Sequence, residues 1–231
     1  MLELGHTLKP GARVLDYGCG AGDMVEEYNS AGYDAFGCDI KLAHERERLT
    51  TIDAKDGSLP FADATFDFVF SDQVMEHVQD HARAFAEIAR VMKPCALSLH
   101  IFPAKLKLTE SHVFVPWGGL IQHRWWLTLW ALLGVRNSFQ KGKSVKEVVE
   151  LNSDYLRART NYLSRTAIKK AVLASFDSLE FAERHMIKHS YGGARHVYRL
   201  VRVLPFVAAW YSTFYSRVIF LQKAKAGSED Q

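Results

Sequence analysis

An apolar stretch, Arg13 to Tyr17, runs straight into three glycines at alternate positions, Gly18, Gly20 and Gly22, and helical periodicity takes over at Asp23. A strand that gives way at once to a helix buries its apolar face in an α/β layer. Glycine lets a backbone turn sharply and lets a ligand come close to it. Here the order is Val14-Leu15-Asp16-Tyr17-Gly18-Cys19-Gly20-Ala21-Gly22, a GxGxG spacing. Dinucleotide-binding turns need GxGxxG. Asp16 stands two residues before the first glycine and Asp23 follows the last. A pyrophosphate at that helix start would meet two carboxylates.

The rest of the chain continues the alternation. Asp23 to Ala31 reads as a helix with Met24, Val25 and Tyr28 on one face, and Tyr33 to Asp39 as a second strand. Phe66 to Ser71 is nearly all apolar, as a strand covered on both faces would be. Asp80 to Met92 is helical, with Phe85, Ile88, Ala89 and Met92 at core spacing; Pro94 ends it, and Ala96 to Phe102 forms another strand. Regularity lapses over 103–165. It resumes with a helix at Thr166 to Ser175, a strand near Leu179 to Ile187, a helical stretch at Ala194 to Val203 and a last strand at Arg217 to Gln222. The order predicts a parallel sheet with right-handed crossovers.

Composition fits that architecture. The chain has 231 residues, 48% hydrophobic and 24% charged, with net charge +3. That supports one domain with a large insertion, and excludes disordered and fibrous classes. Three isolated cysteines, Cys19, Cys38 and Cys95, form no zinc or disulfide pattern, so no metal and a reducing compartment are expected. The first residues lack a signal-peptide pattern. The most apolar run, Trp125 to Val135, is 11 residues long and too short to span a bilayer. A cytoplasmic protein is expected, with peripheral contact at the inner face of the membrane left open.

A ligand with a cationic centre and no phosphate suits a turn flanked by Asp16 and Asp23. S-adenosylmethionine (SAM), with its sulfonium and ammonium groups, is such a ligand. Asp39 closes the second strand 19 residues after Gly20, where a carboxylate can accept both ribose hydroxyls. The segment Asp56-Gly57-Ser58-Leu59-Pro60-Phe61 offers polar and backbone groups for an adenine edge, with Asp56 preferred over Asp53.

These residues resemble the class I SAM-dependent methyltransferases of the "type 11" group. The matching segments are VLDYGCGAG (14–22), GCD (37–39), DGSLPFADATFDFVFSDQVMEHV (56–78) and EIARVMKP (87–94). The resemblance covers about 10–102. It implies a Rossmann-like α/β fold, a seven-stranded and mostly parallel sheet with helices on both faces, and a helical insertion after the fifth strand. It implies Asp16, Gly18 and Gly20 around the amino-acid part of SAM, with Tyr17 beside them. Asp39 and Ile40 would face the ribose, and Asp56, Gly57, Ser58 and Leu59 the adenine. Ser71, Asp72, Gln73 and His77 would stand at the mouth, near the sulfonium. The group usually has KPGG before the fifth strand. Here Lys93-Pro94-Cys95-Ala96 stands instead, so a turn tolerant of a Cβ is expected.

The resemblance divides the chain into a SAM-binding half (1–103), a helical substrate insertion (104–165) and a C-terminal completion (166–231). Methyl transfer to a hydroxyl needs a proton acceptor. The candidates are His112, His77 and His123, with His112 preferred; His81 reads as a surface residue. Four of five tryptophans lie between Trp117 and Trp130. Trp125 and Trp126 cannot face the same way, so Trp117, Trp125 and Trp126 are candidates for stacking on an acceptor. The segment Glu110-x-His112 with VPWGG resembles enzymes of bacterial surface-polysaccharide pathways. After Glu183 no acid occurs until Glu229, and Arg195 and Arg199 share a helix face with Arg202, which favours an anionic acceptor.

The leading expectation is therefore methylation of a saccharide or glycan-precursor hydroxyl by a monomer or homodimer, with no nucleic-acid partner. The alternatives are C- or O-methylation of a quinone, lipid or natural product, and a SAM-binding partner or sensor without transferase activity.

Overall fold

A computed structural model of the chain describes residues 6–42, 46–189, 198–199, 201 and 203–223. Seven strands form one sheet in the order β3-β2-β1-β4-β5-β7-β6. In sequence they are β1 (Arg13–Tyr17), β2 (Asp34–Asp39), β3 (Leu49–Thr51), β4 (Phe66–Asp72), β5 (Met92–Pro103), β6 (Ser178–Phe181) and β7 (Ser216–Gln222). The first five are parallel; β7 is antiparallel to both β5 and β6. The order reverses between β1 and β4, and their carboxyl ends open the crevice where such sheets bind ligands.

Side-chain alternation along the strands feeds two cores. On one face Leu15, Val69 and Ile219 pack with Phe85 and Ile88 of α2 (His81–Val91) and Ile168 and Val172 of α5 (Arg165–Val172). On the other, Val14, Phe68 and Phe220 meet Val25 and Tyr28 of α1 (Asp23–Ser30) and Met186 of α6 (Glu183–His189). Helices on both faces account for the near-continuous apolar run in β4.

The stretch between β5 and α5 holds α3 (Arg124–Leu132) and α4 (Val145–Arg159), which pack on a small core of their own, with Val113, Leu127, Val148 and Leu156 at its centre. A capping box at Ser144 starts α4, its hydroxyl accepting the Glu147 N–H while Glu147 reaches back. The Gly118–Gly119 pair lets the chain cross itself: a Cβ on Gly118 would stand 2.9 Å from Glu110 Cβ. A last helix, α7 (Pro205–Phe214), precedes β7. Among the described residues, no helix is long and apolar enough to cross a membrane.

Several sequence expectations are corrected. Met24 is exposed, and Val25 and Tyr28 alone carry the inner face of α1. Pro94 does not sit between helix and strand, because β5 begins at Met92 directly after α2. The extra residues bulge out where β4 pairing jumps from Met92 to Leu97. Cys95 in that bulge has φ 61, a left-handed conformation that strains any residue with a Cβ. The turn is therefore one a glycine would suit better. The strand expected to reach Ile187 stops at Phe181, and α6 takes its place. Helix α4 lies in the stretch read as irregular. Of the helical stretch 194–203, Tyr198, Arg199, Val201 and Val203 are described, and these are helical.

Candidate active site

The glycine turn is fixed by β2. The Gly18 and Cys19 N–H groups both donate to the Cys38 carbonyl, at 2.7 and 3.1 Å. The Asp39 carboxylate accepts the Gly20 N–H at 2.9 Å and, on its other oxygen, the Lys41 N–H at 3.0 Å. Gly18 and Gly20 have φ of 84 and 53. Their surroundings differ. A Cβ on Gly18 would lie 2.3 Å from Val74 Cγ2, whereas one on Gly20 would point into open space. Gly18 is thus needed for packing, and Gly20 leaves its face clear for a ligand.

The electrostatics are those of an acidic crevice. Asp16 is buried, and burial together with the neighbouring Asp39 and Asp72 carboxylates raises its pKa to about 7. Three carboxylates converging from the ends of β1, β2 and β4 favour a cation and oppose phosphate. Burial also pushes the Tyr17 hydroxyl well up.

The remaining expected cofactor residues are less uniform. Ile40 is exposed beside Asp39. Asp56 accepts the Ser58 N–H and pairs with Arg83 of α2 at 3.4 Å. Asp53 follows Ile52, whose N–H bonds the Asp39 carbonyl at 2.9 Å, so Asp53 stands next to the end of β2. Gly57 turns the loop at φ 71. Leu59 is buried in the main core and does not line the crevice. Ser71 is also turned inward: its hydroxyl bonds Nδ1 of buried His100 at 2.8 Å. Burial lowers the His100 pKa to about 3, so that ring is neutral. Asp72 and Gln73 do stand at the mouth, lining a cavity of about 360 Å³ with Lys107, Tyr215 and Ser216. A larger cavity, about 630 Å³, lies at the other end of the strands between 6–12 and the Cys95 bulge, away from every candidate residue.

A second group assembles on the one-turn 3-10 helix Met75–His77, just past β4. The His77 and His112 rings meet edge to face with centroids 4.9 Å apart. His77 Nδ1 lies 2.6 Å from the Arg159 carbonyl and His112 Nδ1 lies 2.9 Å from Glu110 Oε1. Both partners are acceptors, so each Nδ1 carries the proton and each Nε2 a lone pair. Burial alone would raise the Glu110 pKa. Hydrogen bonds from His112, the Tyr162 hydroxyl and the Val113 N–H bring it down to about 2. The same contact with Glu110 raises the His112 pKa, while burial lowers that of His77. Glu76 is 1% exposed, and both its carboxylate oxygens lack a hydrogen-bond partner. Burial raises its pKa to about 7.

The other expected residues lie apart from this group. His123 is exposed ahead of α3. His81 is buried, its Nε2 bonded to the Met75 carbonyl at 2.8 Å, and is not a surface residue. Trp126 packs between Trp117 and Trp130 and donates its indole N–H to the Pro116 carbonyl, while Trp125 is 64% exposed. The expectation that Trp125 and Trp126 face different ways is met; neither lines the mouth cavity. Arg195 and Arg202 fall outside the described residues, and Arg199 is exposed. Sequence reading passed over Glu76, Glu110 and Tyr162. Two Glu/His pairs, Glu76-His77 and Glu110-x-His112, were the available signal.

The sheet order, the acidic glycine turn and the mouth behind β4 define a class I SAM-dependent methyltransferase fold. Residues 15–98 match the family described as "Methyltransferase domain". The demethylmenaquinone methyltransferase of Corynebacterium kroppenstedtii is 36% identical over 105 residues, covering 41% of this chain and 46% of that protein. A probable S-adenosylmethionine-dependent methyltransferase of Mycolicibacterium smegmatis is 32% identical over 111 residues, covering 44% and 42%. The chain thus spans less than half the length of these curated relatives. Among solved structures, a SAM-dependent methyltransferase from Mesorhizobium loti superposes over 96% of this chain and 95% of its own, at 13% identity and TM-score 0.54. Phosphoethanolamine N-methyltransferase 2 of Haemonchus contortus, in complex with SAM, covers 97% of this chain and 51% of its own, at 18% identity and TM-score 0.51. At these identities the likeness is one of fold.

Proposed function

We propose that this protein is a SAM-dependent methyltransferase acting on a hydroxyl of a small polar acceptor, a saccharide or glycan precursor. The observation that carries the cofactor reading is the trio of carboxylates Asp16, Asp39 and Asp72 around an open Gly20. Asp39 would hold the ribose, Asp16 the ammonium group, and Asp53 would face the adenine end. When bound, SAM supplies a methyl group already activated by its sulfonium.

The chain's own residues then have three tasks. Asp72 and Gln73 bound the mouth; Lys107, Tyr215 and Ser216 offer polar groups to an acceptor hydroxyl, and Ile101, Pro103 and Met186 offer apolar surface to the rest of the acceptor. His112, held by Glu110, meets His77 just past β4, where the pair would orient an acceptor hydroxyl. The inserted helices exclude water from that side. The demethylmenaquinone methyltransferase among the relatives matches 41% of this chain, and its acceptor class is the second arm of the test below.

The test is transfer of tritium from labelled SAM to a pool of nucleotide sugars and, separately, to demethylated quinones. Label in the sugar pool alone is expected. Label only in quinones overturns the acceptor reading. Tight SAM binding without transfer to either pool supports a sensor instead.

A further inference from the structure

We infer that Glu76, His77 and His112 form a binding site for a divalent transition-metal cation. The inference rests on the proposed function only for the cation's use, not for its binding. One donor atom from each residue lies within 4.8 Å of the other two. Donors held about 2.1 Å from a common ion stand at most about 4.2 Å apart. The group therefore closes around an ion by side-chain adjustment alone.

The hydrogen-bond inventory points the same way. His77 gives its Nδ1 proton to the Arg159 carbonyl, and His112 gives its own to Glu110. What remains facing inward is two imidazole lone pairs and the Glu76 carboxylate, all acceptors. His77 Nε2 and Glu76 Oε1 are 4.0 Å apart, beyond hydrogen-bond reach. Neither Glu76 oxygen has a partner, although the side chain is almost fully buried. A cation seated among the three side chains would give the buried, unpartnered Glu76 carboxylate its missing partner.

The surroundings are those that orient metal-bound histidines. A ligating imidazole typically donates its other N–H to a carboxylate or a backbone carbonyl. His112 has the first arrangement and His77 the second. Glu110 is itself fixed by the His112 and Val113 N–H groups and by Tyr162. It acts as a positioning residue.

Two imidazoles and one carboxylate select a borderline first-row ion over Mg²⁺, which prefers oxygen. Three protein ligands leave coordination positions open. In the proposed transferase those positions would take acceptor oxygens at the mouth beside Asp72. A bound hydroxyl would lose its proton to solvent more readily there.

The experiment titrates Zn²⁺ by calorimetry into the chelator-treated full chain, with SAM titrated separately. One equivalent of Zn²⁺ should bind. His112→Ala and His77→Ala should each weaken it at least tenfold, with circular dichroism unchanged in both. Replacing Zn²⁺ by Co²⁺ should give visible bands that disappear in His112→Ala, a readout that does not depend on any Glu76 variant folding. Absence of Zn²⁺ binding, or binding unaltered in both histidine variants, overturns the site. Zn²⁺ binding without SAM binding supports the metal site and overturns the transferase reading. SAM binding without Zn²⁺ binding overturns the metal site alone.

Discussion

The Gly18–Gly22 turn and the Glu76–His77–His112 group are neighbours, joined through Val74, yet they are built in opposite ways. The turn is local. Its glycines, Asp16 and Asp39 come from two adjacent strands, and its hydrogen bonds are mostly backbone to backbone. The histidine group is assembled from distant segments. His77 is oriented by Arg159, 82 residues away, and Glu110 by Tyr162, 52 residues away. The first arrangement recognises a cofactor common to many enzymes. The second is built largely by the insertion, which supplies Glu110, His112, Arg159 and Tyr162.

Changes at Gly18, Gly20, Asp16 and Cys95 test the turn against the rest of the fold. The largest effect is expected for Gly18→Ala, which places a Cβ 2.3 Å from Val74 Cγ2 at φ 84. Overpacking and left-handed strain together should remove about 3 kcal/mol of stability. Gly20→Ala meets nothing in the protein and should lose only about 1 kcal/mol, while weakening SAM binding more than tenfold. Thermal unfolding and calorimetry on both variants check the contrast. Equal losses of stability would show that the turn is uniform rather than split between packing and binding.

The second effect is on pH. Asp16 has its pKa raised to about 7, so its neutral form gains population as pH falls through 7. A cationic ligand prefers the carboxylate, so SAM affinity should fall about tenfold between pH 8 and pH 6 and level off above pH 8. In the free protein the sign is reversed: stability arising from neutral Asp16 is present at low pH and is lost as pH rises from about 4 to about 7. Asp16→Asn should flatten both profiles. SAM affinity that is flat with pH in the wild type would remove Asp16 from the ammonium site.

The smallest effect lies outside both regions. Cys95→Gly relieves a left-handed residue and should raise stability by up to about 1 kcal/mol without changing SAM affinity. A fall in melting temperature would mean that the Cys95 side chain packs better than its strain costs.

What could be read in the sequence follows the same division. Strands β1, β2, β4 and the parallel core were legible because period and punctuation act over a few residues. So were Asp16, Gly18, Gly20 and Asp39, which belong to one turn and the strand end beside it. Helix α4 was missed because its apolar stripe is short and interrupted by Asn152 and Ser153, both buried. Ser71 and Leu59 were assigned to the crevice because a motif fixes their position but not which face they present. Glu76 was passed over because only the fold brings His112 against it and strips it of partners. The notion of a free stacking face at Trp126 gave way to packing, since its neighbours are Trp117, Trp125 and Trp130.

The end of α4 does more than close a helix. The Arg159 carbonyl holds His77, and the Asn161 N–H holds the Glu76 carbonyl at 2.6 Å. The insertion is therefore not an interchangeable module. Transplanting 104–165 into a related scaffold would carry His112, Glu110 and Tyr162 but leave Glu76 and His77 behind, and swapping in a foreign segment would leave His77 without its guide. New acceptor preference in this lineage should arise by paired change, with the 75–78 turn and the α4 terminus altering together.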